Sequence, residues 1–366
     1  MPKRKLIFSL LGSKPFRKAA YKLTALNTVV MNNKEIVNNI NKLQNDLNAG
    51  LISAVPVPFD SASKFHESAH RAYLNYIAEQ PVAGVAVWAH TGRGLMLDTK
   101  TAERVLSDWR KVLGKKILIA GVGSRGESDF EKATGHAFEM AERAAGLGAD
   151  ALMVYAPTWL RLEEERRRDE LIVKHHKSIA AAGLPLILFY LYEEAGGINY
   201  SPEVLDELLS LPEVLGIKMA TLDSVMTYQD VSQRLKTKHP DKLLITGEDR
   251  FLGYSLMRGA QAALVGMGAV CCELQSDLIQ AQIKGDSRRF LELSEQVDKL
   301  AEVLFIEPME GYIGRVLLAL VHLGVIPREA AFDPWGPELK PEEFEDIGRT
   351  LQALGYKRKE LCQHGF

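Results

Sequence analysis

Cysteine is scarce in this chain: three in 366 residues, Cys271, Cys272 and Cys362, with the first two adjacent and poorly placed to bridge each other. No disulfide framework is available, so a reduced, cytoplasmic setting is expected. Long apolar runs are also missing. None approaches the ~20 residues needed to span a bilayer, so no membrane partner is expected. Neither charge sign is in excess: the formal net charge is −2, which gives no general attraction to nucleic acid. The first thirty residues contain no acid at all, while carrying Lys3, Arg4, Lys5, Lys14, Arg17, Lys18 and Lys22. Taking those seven charges away leaves −9 on the remainder. A basic, acid-free start suits a targeting segment, but it has no apolar stretch followed by a small-residue cleavage site. We expect residues 1–31 to form a poorly ordered basic extension, with Met31 as the natural start.

What is present is ordinary globular composition, 46% hydrophobic and 25% charged. From residue 50 onward one pattern repeats. Short β-rich runs occur at LISAVPVPF (51–59), GVAVW (84–88), KILIAGV (116–122), ALMVY (151–155), PLILFYL (185–191), VLGIK (214–218), KLLITG (242–247) and AALVGMG (262–268). Amphipathic, helix-forming stretches lie between them, and strand starts recur at about thirty residues, the size of one βα unit. Eight such units argue for a (β/α)8 TIM barrel rather than an open sheet. Residues 32–272 are assigned to the barrel, with 32–50 reading as a helix that leads into the first strand. Residues 273–366 show apolar spacing of three to four and form a C-terminal helical extension.

In a barrel of this kind chemistry sits at the C-terminal ends of the strands. Lys218 lies there, among Leu215, Ile217 and Met219, with no acid before Asp223. Burial disfavours an ammonium ion, and a neutral lysine is a nucleophile able to form a Schiff base with a carbonyl. The bland alternative is a lysine that reaches out of the barrel mouth to solvent. HESAH (66–70) matches H-E-x-x-H, but no third ligand is apparent, and a solvated helix face accounts for it better. GVGSRG (121–126) fits G-x-G-x-x-G without an acid at the tip of the following strand, so a permissive loop explains it better than a dinucleotide site. AHTGRG (89–94) ends the second strand, where a threonine hydroxyl and turn N–H groups can meet a carboxylate.

Together these pieces resemble the dihydrodipicolinate synthase and N-acetylneuraminate lyase family of pyruvate-dependent aldolases. VPVPFD, HTGRG, the PTW turn (157–159), LGIKMAT, TGED (246–249) and DPWGP (333–337) appear in register over residues 50–356. The resemblance implies class I aldolase chemistry: Lys218 condenses with the keto group of pyruvate or another 2-oxo acid. It also implies that Thr91 and Gly92, with His90 beside them, bind the 2-oxo acid carboxylate. Gly247, Glu248 and Asp249 would meet the distal part of the substrate. No metal or organic cofactor is implied, and a homo-oligomer, tetramer or dimer, is.

Three departures stand against the family pattern. The turn after strand four usually carries a tyrosine that shuttles protons, and this chain has Trp159, whose indole N–H cannot cycle a proton near neutral pH. Tyr155, Tyr190, Tyr192 and His90 are the candidates to replace it; the two-residue period puts Tyr190 and Tyr192 on one face, and Tyr190 is preferred. The loop after strand five has Glu193 and Glu194 where synthases carry a carboxylate-gripping arginine. With Glu248 and Asp249 these acids suggest a distal substrate that is neutral or cationic, which disfavours 4-hydroxy-tetrahydrodipicolinate synthesis. Arg93 stands where the family often has an acid, and a salt bridge to acids of neighbouring loops would explain it. The expected function is a Schiff-base lyase, aldolase or dehydratase acting on pyruvate or a sugar-acid-derived 2-oxo acid. The alternatives are an impaired barrel that binds a 2-oxo acid as a sensor, and a metal-dependent hydrolase built on HESAH.

Overall fold

Each of the eight β-rich runs forms a strand in the computed structural model, which describes residues 33–222 and 224–357. The basic extension expected at 1–31, Asp223 and Cys362 lie outside the described residues. The strands are β1 (Leu51–Ala54), β2 (Gly84–Val87), β3 (Ile117–Val122), β4 (Ala151–Val154), β5 (Leu186–Leu191), β6 (Val214–Ala220), β7 (Leu243–Thr246) and β8 (Ala262–Val265). All neighbours pair in parallel and β8 pairs with β1, which closes the barrel. Every strand residue is buried, because helices cover the outer face and side chains fill the inner one.

Alternation along the strands sorts the residues into two clusters. Ile52, Ile119, Met153, Phe189, Ile245 and Leu264 belong to the barrel interior. Leu118, Leu152, Leu188, Ile217 and Val265 face the helices. Below the barrel runs α1 (Asn33–Leu47), whose Ile40, Leu43 and Leu47 join the interior cluster and close its N-terminal end. The Gln44 side chain fixes this plug by donating to the carbonyls of Leu215 and Asp241 at 2.8 and 2.7 Å.

The covering helices are α2 (Glu67–Ala78), α3 (Thr99–Leu113), α4 (Phe130–Gly146), α5 (Glu165–Ala180), α6 (Pro202–Leu209), α7 (Val225–Lys238), α8 (Leu252–Met257) and α9 (Cys272–Ile283). Asp98, Asp129, Ser201 and Ser224 cap α3, α4, α6 and α7 by accepting the N–H three residues along. The helix α9 packs on β1 and is the eighth helix of the barrel. A boundary at residue 272 therefore cuts the last βα unit, since apolar spacing alone does not distinguish a barrel helix from an added one. Gly285, in the left-handed region at φ 69°, and Asp286, capping the next helix, end the apparently continuous helical run. The extension proper consists of α10 (Ser287–Leu304), α11 (Tyr312–His322) and α12 (Pro341–Ala353).

This extension matters for the site because of the turn between α10 and α11. The Arg315 guanidinium is fully buried and donates to the carbonyls of Ile306 and Pro308 at 2.7 and 3.2 Å, and to Glu343 at 2.5 Å. Those bonds tie down carbonyls of the turn beyond α10 and fix the path of residues 305–311 over the barrel mouth. A later segment docks as well: Phe332 bridges to Phe59 beyond β1, and Trp335 packs edge-on against Phe59 at 5.5 Å.

Candidate active site

Lys218 points into the barrel. Its register partners on β5 and β7 are Phe189 and Ile245, both interior residues, and its Nζ lies 4.3 Å from the centre of the Phe189 ring. The side chain is buried, and no carboxylate lies within ion-pair distance of it among the described residues. Burial lowers the ammonium pKa well below the ordinary lysine range, and the more distant Asp249 and Glu248 carboxylates offset this only in part. Lys218 thus gives up its proton more readily than an exposed lysine, in the direction the sequence suggests, and does not reach out to bulk solvent.

A small chamber of about 40 Å³ opens beside Lys218, lined also by His90, Thr91, Tyr192, Gly247, Asp249 and Tyr312. Gly247 is there because nothing larger fits: a Cβ would sit 2.5 Å from Lys218 Cε and 2.9 Å from the Met219 carbonyl. Gly247→Ala should displace the lysine and lower kcat by roughly 10²-fold, since misplacing a reacting group by about 1 Å costs that much. Single-turnover rates would check it, and an unchanged rate would show that the lysine needs no such clearance. Gly266 has the same relation to Tyr312, whose Cε2 would stand 2.8 Å from an added Cβ.

Glu248 and Asp249 line the chamber and are also tied into the fold. Glu248 is buried and accepts from the Thr221 N–H at 2.6 Å, the Thr221 hydroxyl at 2.9 Å and the Leu222 N–H at 3.1 Å. Burial raises its pKa to about 7 against the lowering effect of those bonds. Asp249 accepts from Met267 and Gly266 N–H groups and is likewise raised by burial. Both hold the turns after β6 and β8 while setting the field around Lys218.

The turn after β2, His90–Gly92, brings Thr91 into the chamber, where its hydroxyl pairs with Tyr312 OH at 3.0 Å. Gly92 lies behind it, with its N–H donated to the Ala89 carbonyl. His90 lines both the chamber and a larger outer cavity of about 680 Å³. Its Nε2 stands 2.9 and 3.1 Å from the two Glu310 oxygens, and its ring stacks with Tyr312 at 6.2 Å. Glu310 also accepts from Arg93 at 2.7 Å and Tyr192 OH at 3.2 Å. Burial acts to raise the Glu310 pKa, but His90 and Arg93 outweigh it and hold the carboxyl at about 2. Arg93 in turn meets Asp333 at 2.7 Å. The expected salt bridge of Arg93 exists, and its acids come from the C-terminal segment rather than from the strand loops.

Several expectations need correction. Tyr190 faces away from Lys218: it belongs to the outer cluster, packs edge-on against Tyr200 and donates to Asn199 at 2.8 Å. The two-residue period fails at Tyr192, because β5 ends at Leu191 and the chain enters a 3-10 turn, which swings Tyr192 into the chamber. Trp159 also turns outward. In the turn Thr158–Leu162, Thr158 bonds the Gly196 carbonyl and Arg161 the Glu193 carbonyl, leaving the Trp159 ring against the outer core. Its indole N–H is buried without a partner among the described residues. Tyr155 points inward, edge-on to Phe189 at 5.0 Å, and lines the outer cavity; burial pushes its phenol up. The acids of the mouth do not stand alone. Glu194 is the acid of the strand-five loop that lines the outer cavity, together with Arg93, Arg125 and Arg161. Among the described residues neither Arg125 nor Arg161 has a carboxylate partner, so the wall does not repel an anionic acceptor.

Sequence reasoning missed Phe305, Met309 and Glu310, from the turn between α10 and α11, and Tyr312, which opens α11. Their one signal was the acid and the tyrosine that end EPMEGY, inside an otherwise apolar region. The HESAH histidines do not act together: His66 caps α2 through Ala69 N–H, while His70 is buried against Phe65 and Trp109. Burial lowers the His70 pKa to about 4. Among the described residues no group of three or more His, Cys, Asp or Glu is placed to hold a metal ion.

Residues 47–354 match the model of the dihydrodipicolinate synthetase family. The chain belongs to that family. It is 27% identical over 311 residues to a 4-hydroxy-tetrahydrodipicolinate synthase of Thermodesulfovibrio yellowstonii, covering 84% of this chain and 98% of the relative. It is 22% identical over 307 residues to N-acetylneuraminate lyase 2 of Escherichia coli O6:H1, covering 83% and 94%. The solved dihydrodipicolinate synthase of Aquifex aeolicus superposes with a TM-score of 0.72 at 22% identity, covering 85% of this chain and 99% of that one. The barrel is thus that of a family whose members include lyases, and this chain is a divergent member. No helix among the described residues is long and apolar enough to cross a membrane.

Proposed function

We propose that this protein is a Schiff-base lyase or aldolase, in which Lys218 condenses with pyruvate or a sugar-acid-derived 2-oxo acid. The observation that carries the reading is a buried, unpaired lysine on the inner wall of the barrel, opening onto a chamber floored by Gly247. Neutral Nζ attacks the keto carbon, the carbonyl oxygen takes a proton, and loss of water leaves the imine. The imine nitrogen then accepts the electron pair released when a proton or a carbon fragment leaves C3. Thr91 at the chamber wall is placed to orient the carboxylate, and its partner Tyr312 holds that hydroxyl. The same lysine serves a dehydratase, in which the enamine expels hydroxide from C4 as water.

For the distal half of the substrate the outer cavity offers Arg125 and Arg161 together with Glu194 and Thr158. That mixture suits a polyhydroxylated chain and accepts an anionic group, so a synthase-type acceptor bearing a carboxylate belongs in the test panel. A homo-oligomer, tetramer or dimer, is part of the same proposal.

The test is borohydride reduction with pyruvate and a panel of sugar-derived 2-oxo acids, read by peptide mass spectrometry. A reduced adduct on Lys218 is expected, and the acid trapped most efficiently names the substrate class. A folded protein that traps none of them overturns the proposal in favour of a barrel that only binds.

A further inference from the structure

We propose that His90, held by Glu310, is the general acid and base for the C3 proton of the Lys218 imine, so that the C-terminal extension completes the active site. The inference rests on the Schiff-base reading of Lys218 and supplies the proton carrier that the outward-facing Tyr190 and Trp159 cannot.

The geometry is that of an imidazole with one nitrogen committed and one free. Glu310 receives Nε2 at 2.9 and 3.1 Å, which assigns the hydrogen to Nε2 in the neutral ring. Nδ1 is left as the acceptor, with no partner among the described residues. Stacking against Tyr312, which itself stacks on Phe305 at 4.7 Å, fixes the ring plane. When the ring takes a second proton, the Glu310 carboxylate beside it stabilises the imidazolium, the arrangement by which a carboxylate orients a catalytic histidine.

Glu310 is a positioning residue with unusually firm support. Arg93 and Tyr192 hold its oxygens, Asp333 holds Arg93, and Arg315 fixes the backbone that leads to it. The other titratable groups of the chamber are already engaged. Tyr192 donates to Glu310, Tyr312 pairs with Thr91, Glu248 takes the Thr221 and Leu222 donors, and Asp249 takes Met267 and Gly266. Asp249 stands as the competitor, since its field reaches Lys218.

The step balances within the chain. Nδ1 of His90 takes a proton from C3 of the iminium, the C–H pair becomes the C2=C3 bond, and the C=N pair returns to nitrogen as the neutral enamine. Return of a solvent deuteron from His90 to C3 exchanges the methyl protons of pyruvate without consuming it.

Methyl exchange in D₂O, followed by NMR, therefore separates this step from imine formation, which the borohydride endpoint reads on the same protein. His90→Asn should lose exchange by about 10²–10⁴-fold while still giving the Lys218 adduct at saturating pyruvate. His90→Ala should lose it equally and regain part of the rate with added imidazole, for which the adjoining outer cavity has room. Glu310→Gln should lower the exchange rate at saturation with little change in the KM for pyruvate. Exchange at the wild-type rate in both His90 variants overturns the inference and leaves the lysine reading intact. So does loss of exchange in Asp249→Asn with none in His90→Asn, or a wild-type protein that traps pyruvate without exchanging it. No adduct in the wild type removes the lysine reading and this one with it.

Discussion

Lys218→Met should abolish the borohydride adduct and lower turnover by on the order of 10⁴-fold or more, while leaving the protein about 1–2 kcal/mol more stable. The two effects share one cause. A buried amine without an ion pair is useful for imine chemistry, and it is a poor choice for folding, because any protonated fraction must be desolvated. Methionine is close in length, flexible enough to occupy the space over Phe189, and carries no charge. Chemical denaturation of both proteins at neutral pH measures the stability difference. A variant that is clearly less stable than the wild type would mean that Asp249 and Glu248 support the lysine more strongly than burial opposes it.

The pH dependence of that difference has a definite sign. Burial places the folded-state pKa of Lys218 below its unfolded value, so between the two the unfolded chain binds more protons and wild-type stability rises with pH. The penalty is fully present below the folded pKa and is gone above ~10.4, the ordinary lysine value. Asp249 moves the comparison the same way. Burial already raises its pKa and Lys218 lowers it, so removing the lysine raises it further, and ionising Asp249 then costs the variant more as pH rises. The stability advantage of Lys218→Met should therefore be largest near neutrality and shrink toward alkaline pH. An advantage that grows with pH would contradict the assignment.

Residues whose role follows from strand position were legible in the sequence. Lys218 sits at the end of an apolar run, and the alternation that turns Ile217 and Met219 toward the helices puts it on the inner wall. Thr91 and Gly247 follow strands two and seven, where a barrel places its loops. The errors begin where regular structure ends. Tyr190 lies one residue before the end of β5, and the 3-10 turn at Glu193–Ala195 breaks the period that seemed to pair it with Tyr192. Trp159 turns away because its loop is lashed to a neighbouring loop, a contact between residues 38 apart in the chain. Glu310 was illegible for a stronger reason. Its partners His90 and Arg93 are 220 and 217 residues away, and no local pattern carries such a pairing. Arg93 alone gave a hint, as a basic residue at an acidic family position that demanded a carboxylate from somewhere.

Arg93→Met should cost about 3–5 kcal/mol, the largest stability loss we expect from any single change at the barrel mouth. Arg93 and Asp333 are both almost inaccessible, with side chains 8% and 5% exposed, so removing the guanidinium strands a buried carboxylate. The bidentate geometry matters too: Arg93 meets Asp333 through Nε and Nη2, and no lysine could reproduce that fork. Function should fall with stability, since Glu310 loses its 2.7 Å contact and with it the position that aims His90. The double change Arg93→Met with Asp333→Asn separates the explanations. If the loss comes from the stranded charge, the asparagine recovers part of the stability, because the pair is coupled and the two costs do not add. Pyruvate exchange should stay low in the same protein, because Glu310 is still unsupported. Equal denaturation midpoints for wild type and Arg93→Met would show instead that residues 327–335 are held by Phe59, Phe332 and Trp335 alone. The arginine would then serve only the chemistry.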